Sequence, residues 1–176
     1  MPSQSTDLVF GLRMLDAVKV VVRPGDIPTL NQIGELLALK NDFSGKTSIS
    51  IVLERMDSFE REDSISKVIG TTVAVDTLCY KNSRFIGQFC ERPNVRKVSF
   101  QNMAFKIRKP NHVDTFHWKY FEYDNCYLEK GSLGWRELHP LCLGFSCRNS
   151  PEVLAMVDFT GFSRLEELFL VGHTDF

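Results

Sequence analysis

The stretch Val95-Arg-Lys-Val-Ser-Phe100 is repeated in pattern, 23 residues further on, by Trp118-Lys-Tyr-Phe-Glu-Tyr123. Both place apolar side chains at i, i+3 and i+5. Side chains on an extended chain point alternately to opposite faces, so the last two share one face of a strand and the first lies just before it. Working outward, the same L-x-x-L-x-L spacing appears in Leu15-x-x-Val18-x-Val20, Val75-x-x-Leu78-x-Tyr80, Leu138-x-x-Leu141-x-Leu143 and Leu165-x-x-Leu168-x-Leu170. Ser48-x-x-Ile51-x-Leu53 fits with a polar first position. The apolar-x-apolar anchors fall at 18, 49, 78, 98, 121, 141 and 168, at intervals of 31, 29, 20, 23, 20 and 27. Degenerate matches at near-regular spacing predict a repeat architecture. Its strands are expected near residues 17–22, 48–53, 75–80, 95–100, 118–123, 141–145 and 166–170, parallel and in sequential order in one sheet.

Helical patterns lie between these runs. Asp26 can cap a helix with Pro28 in its first turn and Leu30, Ile33 and Leu37 as its core stripe. Asn82 or Ser83 can start a second, with Phe85 and Phe89 at i and i+4, and Glu62 to Ile69 is a shorter candidate. Ser150-Pro151-Glu152 reads as N-cap, N1 and first-turn acid, with Val153, Leu154 and Val157 as the buried side. Segments 104–115 and 127–137 read as loop or 3₁₀ turn. No Pro/Gly/Ser linker divides the chain, so a mobile start over 1–6 is followed by a single domain over 7–176.

At this point the chain resembles the leucine-rich repeat family, whose period is ~20 to 29 residues. The resemblance is to the longer, helix-bearing repeats of ribonuclease-inhibitor-like proteins and of the substrate-binding halves of F-box proteins, over roughly residues 15–172. The asparagine of the family consensus is missing from the repeats. Val, Phe and Tyr often stand for Leu, and Cys126 meets the Asn/Cys place where Met103 does not. That degeneracy is closer to the F-box proteins, although no F-box is visible. The resemblance implies an α/β leucine-rich-repeat-like solenoid: a curved parallel sheet with helices and irregular segments on its convex side. It also implies a protein-interaction module that holds its partner on the concave strand face, with a substrate receptor in ubiquitin ligation as one form. An array without polar caps is a piece of a longer chain or closes its ends by self-association.

On strand alternation the concave face is lined by Lys19, Val21, Thr77, Cys79, Lys97, Ser99, Gln101, Tyr120, Glu122, Asp124, Cys142, Gly144, Glu167 and Phe169. The partner-binding set drawn from it is Lys97, Ser99, Gln101, Tyr120, Glu122, Asp124, Glu167 and Phe169. Mixed polar and aromatic positions in a shallow groove suit a protein surface. Of the aromatic cluster Phe116, Trp118, Tyr120, Phe121, Tyr123, Tyr127 and Trp135, alternation sends Trp118, Phe121 and Tyr123 to the core and leaves Tyr120 to a partner.

Lys plus Arg is 21 and Asp plus Glu 22, so no global field favours nucleic acid or anionic lipid. No run approaches a membrane span, and Met1-Pro-Ser-Gln-Ser-Thr-Asp lacks a secretory layout. With five dispersed cysteines the expectation is free thiols in an intracellular protein, cytoplasmic or nuclear. His112, His117, Cys126, His139, Cys142 and Cys147 match no common zinc spacing, and phosphate-loop glycine motifs are absent, so neither metal nor cofactor is expected. Two alternatives stand beside the binding module, which is not read as an enzyme. One is a small α/β thiol enzyme using Cys142 and His139. The other is a minor RNA-binding role for residues 92–109, where Arg92, Arg96, Lys97, Lys106, Arg108 and Lys109 interleave with Phe100 and Phe105. Acidic Glu54, Asp57, Glu60, Glu62 and Asp63 read as a solvated turn.

Overall fold

Alternating, β-branched runs such as Ala-Val-Lys-Val-Val-Val and Ser-Ile-Ser-Ile-Val-Leu-Glu bury one face of a pleated strand and leave the other open. The computed structural model describes residues 17–24, 48–55, 75–86, 95–107, 112–132 and 134–172. In these the strands are β1 (Ala17–Val22), β2 (Ser48–Glu54), β3 (Val75–Lys81), β4 (Arg84–Ile86), β5 (Val95–Gln101), β6 (Ala104–Lys106), β7 (His112–Thr115), β8 (Tyr120–Asp124), β9 (Tyr127–Leu128), β10 (Trp135–Leu138), β11 (Gly144–Arg148) and β12 (Glu167–Val171). Seven form one long sheet in the order β1-β2-β3-β5-β8-β11-β12, every neighbouring pair parallel. After each of β3, β5 and β8 the chain turns into a short strand of a second parallel sheet, β4-β6-β9. A third side pairs β7 with β10, and a parallel bridge from Glu137 to Val157 extends it. The result is a parallel β-solenoid of about four turns.

The parallel, sequential sheet is as the spacing predicts; the outer side is not. Asn82, expected to start a helix, has φ 51° and leads into β4. An extended course lets Phe85 bury its ring 5.6 Å from Phe105, and Ala104 N–H then donates to Ser83 C=O. Segments 104–115 and 127–137, read as loop, supply β6, β7, β9 and β10. Among the described residues the one α-helix is α1 (Pro151–Leu154), a single turn. Val153 and Leu154 are its buried side, and Val157, expected on the same helix, is buried three residues past its end. Ser150, however, does not cap it: its hydroxyl accepts from Cys126 N–H at 2.8 Å, and Glu152 accepts from Leu128 N–H at 2.9 Å. Helix α1 therefore stands where a further short strand would lie and closes the edge beside β9. The helices expected at 26–37 and 62–69, Phe89 and the start at 1–6 lie outside the described residues.

The register differs from the expected one at three of the seven strands of the long sheet. Val20, Ile51, Leu78, Val98, Phe121, Phe145 and Leu168 are mutual partners, giving intervals of 31, 27, 20, 23, 24 and 23. The anchors at 18 and 49 are therefore two residues early, and the one at 141 is four early. At the sixth strand of the long sheet Cys142, Phe145 and Cys147 fill the three apolar places, while Leu138 belongs to β10 and Leu141 is exposed. A buried free cysteine acts as a small hydrophobe, and three leucines at the same spacing four residues upstream mask the match.

The core between the sheets is a file of rings. Tyr80, Phe100 and Tyr123 stack at 5.3 Å and 5.3 Å, and Phe121 lies parallel to Phe145 at 6.2 Å. Leu168 aligns with this file but is 50% exposed, because no described strand follows β12. This corrects its expected place as a core anchor. Phe121→Ala should cost about 3–5 kcal/mol and Leu168→Ala less than about 1 kcal/mol, read from urea unfolding midpoints at constant m-value.

Candidate functional site

In-register stacking arranges the outer face of the long sheet in files. The first runs Lys19, Ser50, Thr77, Lys97, Tyr120, Gly144, Glu167; the second runs Val21, Val52, Cys79, Ser99, Glu122, Ser146, Phe169. A third begins at Glu54 and continues through Lys81, Gln101, Asp124 and Arg148 to Val171. The structure thus brings all eight residues of the expected partner-binding set onto one face. Cys142 leaves that set of lining residues: it is fully buried, two residues before β11 begins.

Two recesses lined by described residues lie on this face. The larger, about 390 Å³, lies over β1 to β8 between Lys19, Arg23, Lys81 and Lys97 on the basic side and Glu54 and Glu122 on the acidic side. Thr77, Cys79, Ser99 and Gln101 line its floor. Glu54 is held by Arg23 at 3.0 Å and by the Asn82 amide at 3.2 Å; the Arg23 contact above all lowers its pKa below the usual carboxylate value. Glu122 pairs with Lys97 at 2.7 Å. A half-exposed pair of this kind contributes at most about 1 kcal/mol and is easily exchanged for a partner's charge. Lys19 and Lys81 have no carboxylate among the described residues, so four cations against two carboxylates leave the cleft positive by two.

The smaller recess, about 130 Å³, holds Tyr120, Gly144, Ser146, Glu167 and Phe169. Tyr120 lies across Gly144, where a Cβ would come within 2.7 Å of the ring, and the Arg96 guanidinium sits 5.1 Å from its centre. Phe169 is 48% exposed under the Arg148 guanidinium at 4.8 Å. Sequence reasoning named Tyr120 as the aromatic contact and missed its guanidinium cover. Strand alternation alone could not show it, because Arg96 comes from the neighbouring strand.

A second feature escaped the sequence altogether. Glu137 and His139 are completely buried: Tyr123 Oη donates to Glu137, and His139 Nε2 lies 3.1 Å from the other carboxylate oxygen. Burial, with the Glu137 charge beside it, pushes the Tyr123 hydroxyl well above its usual pKa. His139 is packed among Phe116, Phe121, Phe145 and Phe162. This arrangement determines the fate of the Cys142–His139 pair. Cys142 Sγ donates to Gly144 C=O at 3.1 Å, burial pushes its pKa up to about 11, and both it and His139, which Glu137 already engages, are fully buried. The pair lacks the thiolate and access that nucleophilic chemistry requires.

For the RNA alternative, Phe100 and Phe105 are fully buried and cannot stack on bases, Lys97 is paired, and Lys106 donates to Lys130 C=O. Arg92, Arg108 and Lys109 lie outside the described residues, as do Asp57, Glu60, Glu62 and Asp63. Among the described residues no group of His, Cys, Asp or Glu is arranged to hold a metal ion, and no helix is long and apolar enough to cross a membrane. No family model matches the chain, and no curated protein or solved structure is significantly similar to it.

Burial raises the thiols of Cys126, Cys142 and Cys147 from 9.0 to about 11, 11 and 12. The unfolded chain releases these protons near pH 9 while the native state keeps them. Their contribution is therefore complete below pH 9 and is lost as pH climbs toward 11 and 12. Unfolding free energy should fall above pH 9 by about 1.4 kcal/mol per pH unit per thiol. Denaturant titrations at pH 8, 9 and 10 check this. A thiol-specific chromophore at pH 7.5 should label Cys126, Cys142 and Cys147 only on unfolding.

Proposed function

We propose that the protein is an interaction module that holds a polypeptide partner on the outer face of its long sheet. The observation that carries this is the pair of recesses on one continuous face: a cleft positive by two beside an aromatic step at Tyr120 and Phe169. A segment bearing acidic side chains would place them by Lys19 and Lys81, and an apolar side chain would rest against Phe169. The ring contributes affinity, and the exchangeable Lys97–Glu122 pair contributes selectivity. A substrate receptor in ubiquitin ligation is one form such a module can take; this same face would then carry the substrate.

Purified wild-type chain and two variants, Tyr120→Ala/Glu122→Lys and Lys81→Glu, should be used as baits in native extract with quantitative mass spectrometry. The proteins enriched on wild type should fall at least about tenfold on both variants, whose thermal midpoints stay within about 2 °C. An unchanged set of captured proteins on folded variants would move binding off this face.

A further inference from the structure

The two ends of the long sheet are complementary to each other. At one end all five residues of β12 are exposed, with Leu168 at 50%, Phe169 at 48%, Leu170 at 36% and Val171 at 43%. The residues in register on β11, Phe145 and Cys147, are buried. Among the described residues β12 pairs with β11 alone, so one row of its N–H and C=O groups is open. An apolar edge without Lys, Pro or a bulge is a template for a further strand. At the other end β1 pairs with β2 alone among the described residues, and Val21 is 44% exposed.

We infer that the chain associates head to tail, β12 of one copy pairing parallel with β1 of a second copy so that the long sheet runs on through the junction. The register of the seven strands fixes what would meet. The files already aligned across the sheet place Glu167 with Lys19, Leu168 with Val20, Phe169 with Val21 and Leu170 with Val22. The one acidic side chain of β12 meets the one basic side chain of β1, and the three apolar positions meet valines. Lys19 has no carboxylate partner among the described residues, and its ammonium is available to Glu167. Leu168 and Leu170 gain burial at the junction beside the half-buried Val20 and the already buried Val22, which continues the core's inner file in the spacing of the existing strands. Antiparallel pairing of two β12 strands about Phe169 fits less well, since it sets Glu167 opposite Val171. Because the joined surfaces differ, each added copy leaves one β12 and one β1 open, and association proceeds to chains longer than a dimer.

Sedimentation velocity of the full chain from about 1 to 300 μM should show species growing beyond the dimer with concentration. Glu167→Lys and Lys19→Glu, each alone, put like charges together and should raise the concentration of half-assembly about tenfold. The double variant Glu167→Lys/Lys19→Glu restores opposite charges and should return it to the wild-type value. Leu170→Asp, at an exposed site that leaves the thermal midpoint unchanged, should keep the chain monomeric. A wild-type chain that stays monomeric throughout the range would overturn the inference. So would a closed dimer indifferent to Lys19→Glu, or single-variant losses that the double variant fails to repair.

Discussion

Each long strand but the first is followed directly by a residue whose backbone turns through the left-handed region, and where a following strand is described, that residue's N–H reaches the carbonyl closing it. Arg55, Asn82, Asn102, Asn125, Asn149 and Gly172 occupy these corners with φ between 46° and 76°. Their N–H groups donate to Lys81, Gln101, Asp124, Arg148 and Val171 at 2.9–3.0 Å, from Arg55 to Asn149 in turn. Asparagine tolerates this conformation and adds a second bond across the turns: Asn125 donates to Asn102 at 2.8 Å, Asn102 to Asn82 at 3.0 Å, and Asn82 to Glu54 at 3.2 Å. At Gly172 a Cβ would lie 1.9 Å from Asn149 Oδ1, so the corner admits no side chain. A residue inserted between corners is absorbed by the outer segments; one inserted in a strand would carry its apolar file to the wrong face.

With the corners fixed, like side chains stack on like. Inside, this gives the aromatic files and the places where Cys142 and Cys147 do the work of leucines. It also draws in a carboxylate, Glu137, satisfied on both oxygens by Tyr123 and His139. A buried carboxylate deprived of either partner leaves an unmet acceptor costing about 1–3 kcal/mol, which ties the third side of the coil to the long sheet.

Outside, the same stacking turns isolated residues into a surface. Lys97 and Glu122 are 25 positions apart and meet at 2.7 Å, and Tyr120 finds room only because the next file member is Gly144. At the last strand the stacking has no successor among the described residues. Residues that are core by pattern, Leu168 and Leu170, become surface there.

Much of this was legible in the sequence because it depends on local periodicity. The i, i+3, i+5 spacing in Val95 to Phe100 and Trp118 to Tyr123 dictates an inside and an outside for each strand, and near-regular recurrence dictates that strands stack in order. Strand alternation alone therefore put Lys97, Tyr120, Glu122 and Phe169 on one face. The recurring asparagines at 82, 102, 125 and 149 were equally visible, each directly after a strand, but their role rests on a backbone conformation that spacing does not reveal. Tertiary structure decided what depends on neighbours distant in the chain. Phe85 went into a strand because Phe105 and the Ser83 carbonyl offered contacts that a helix could not use. Cys142 rather than Leu138 took the core position because register is set by the adjoining strand, where Trp118 and Phe121 were already placed. The Glu137–His139–Tyr123 contact and the positive cleft came from side chains that only meet once the coil has closed, so no local rule could have drawn them together.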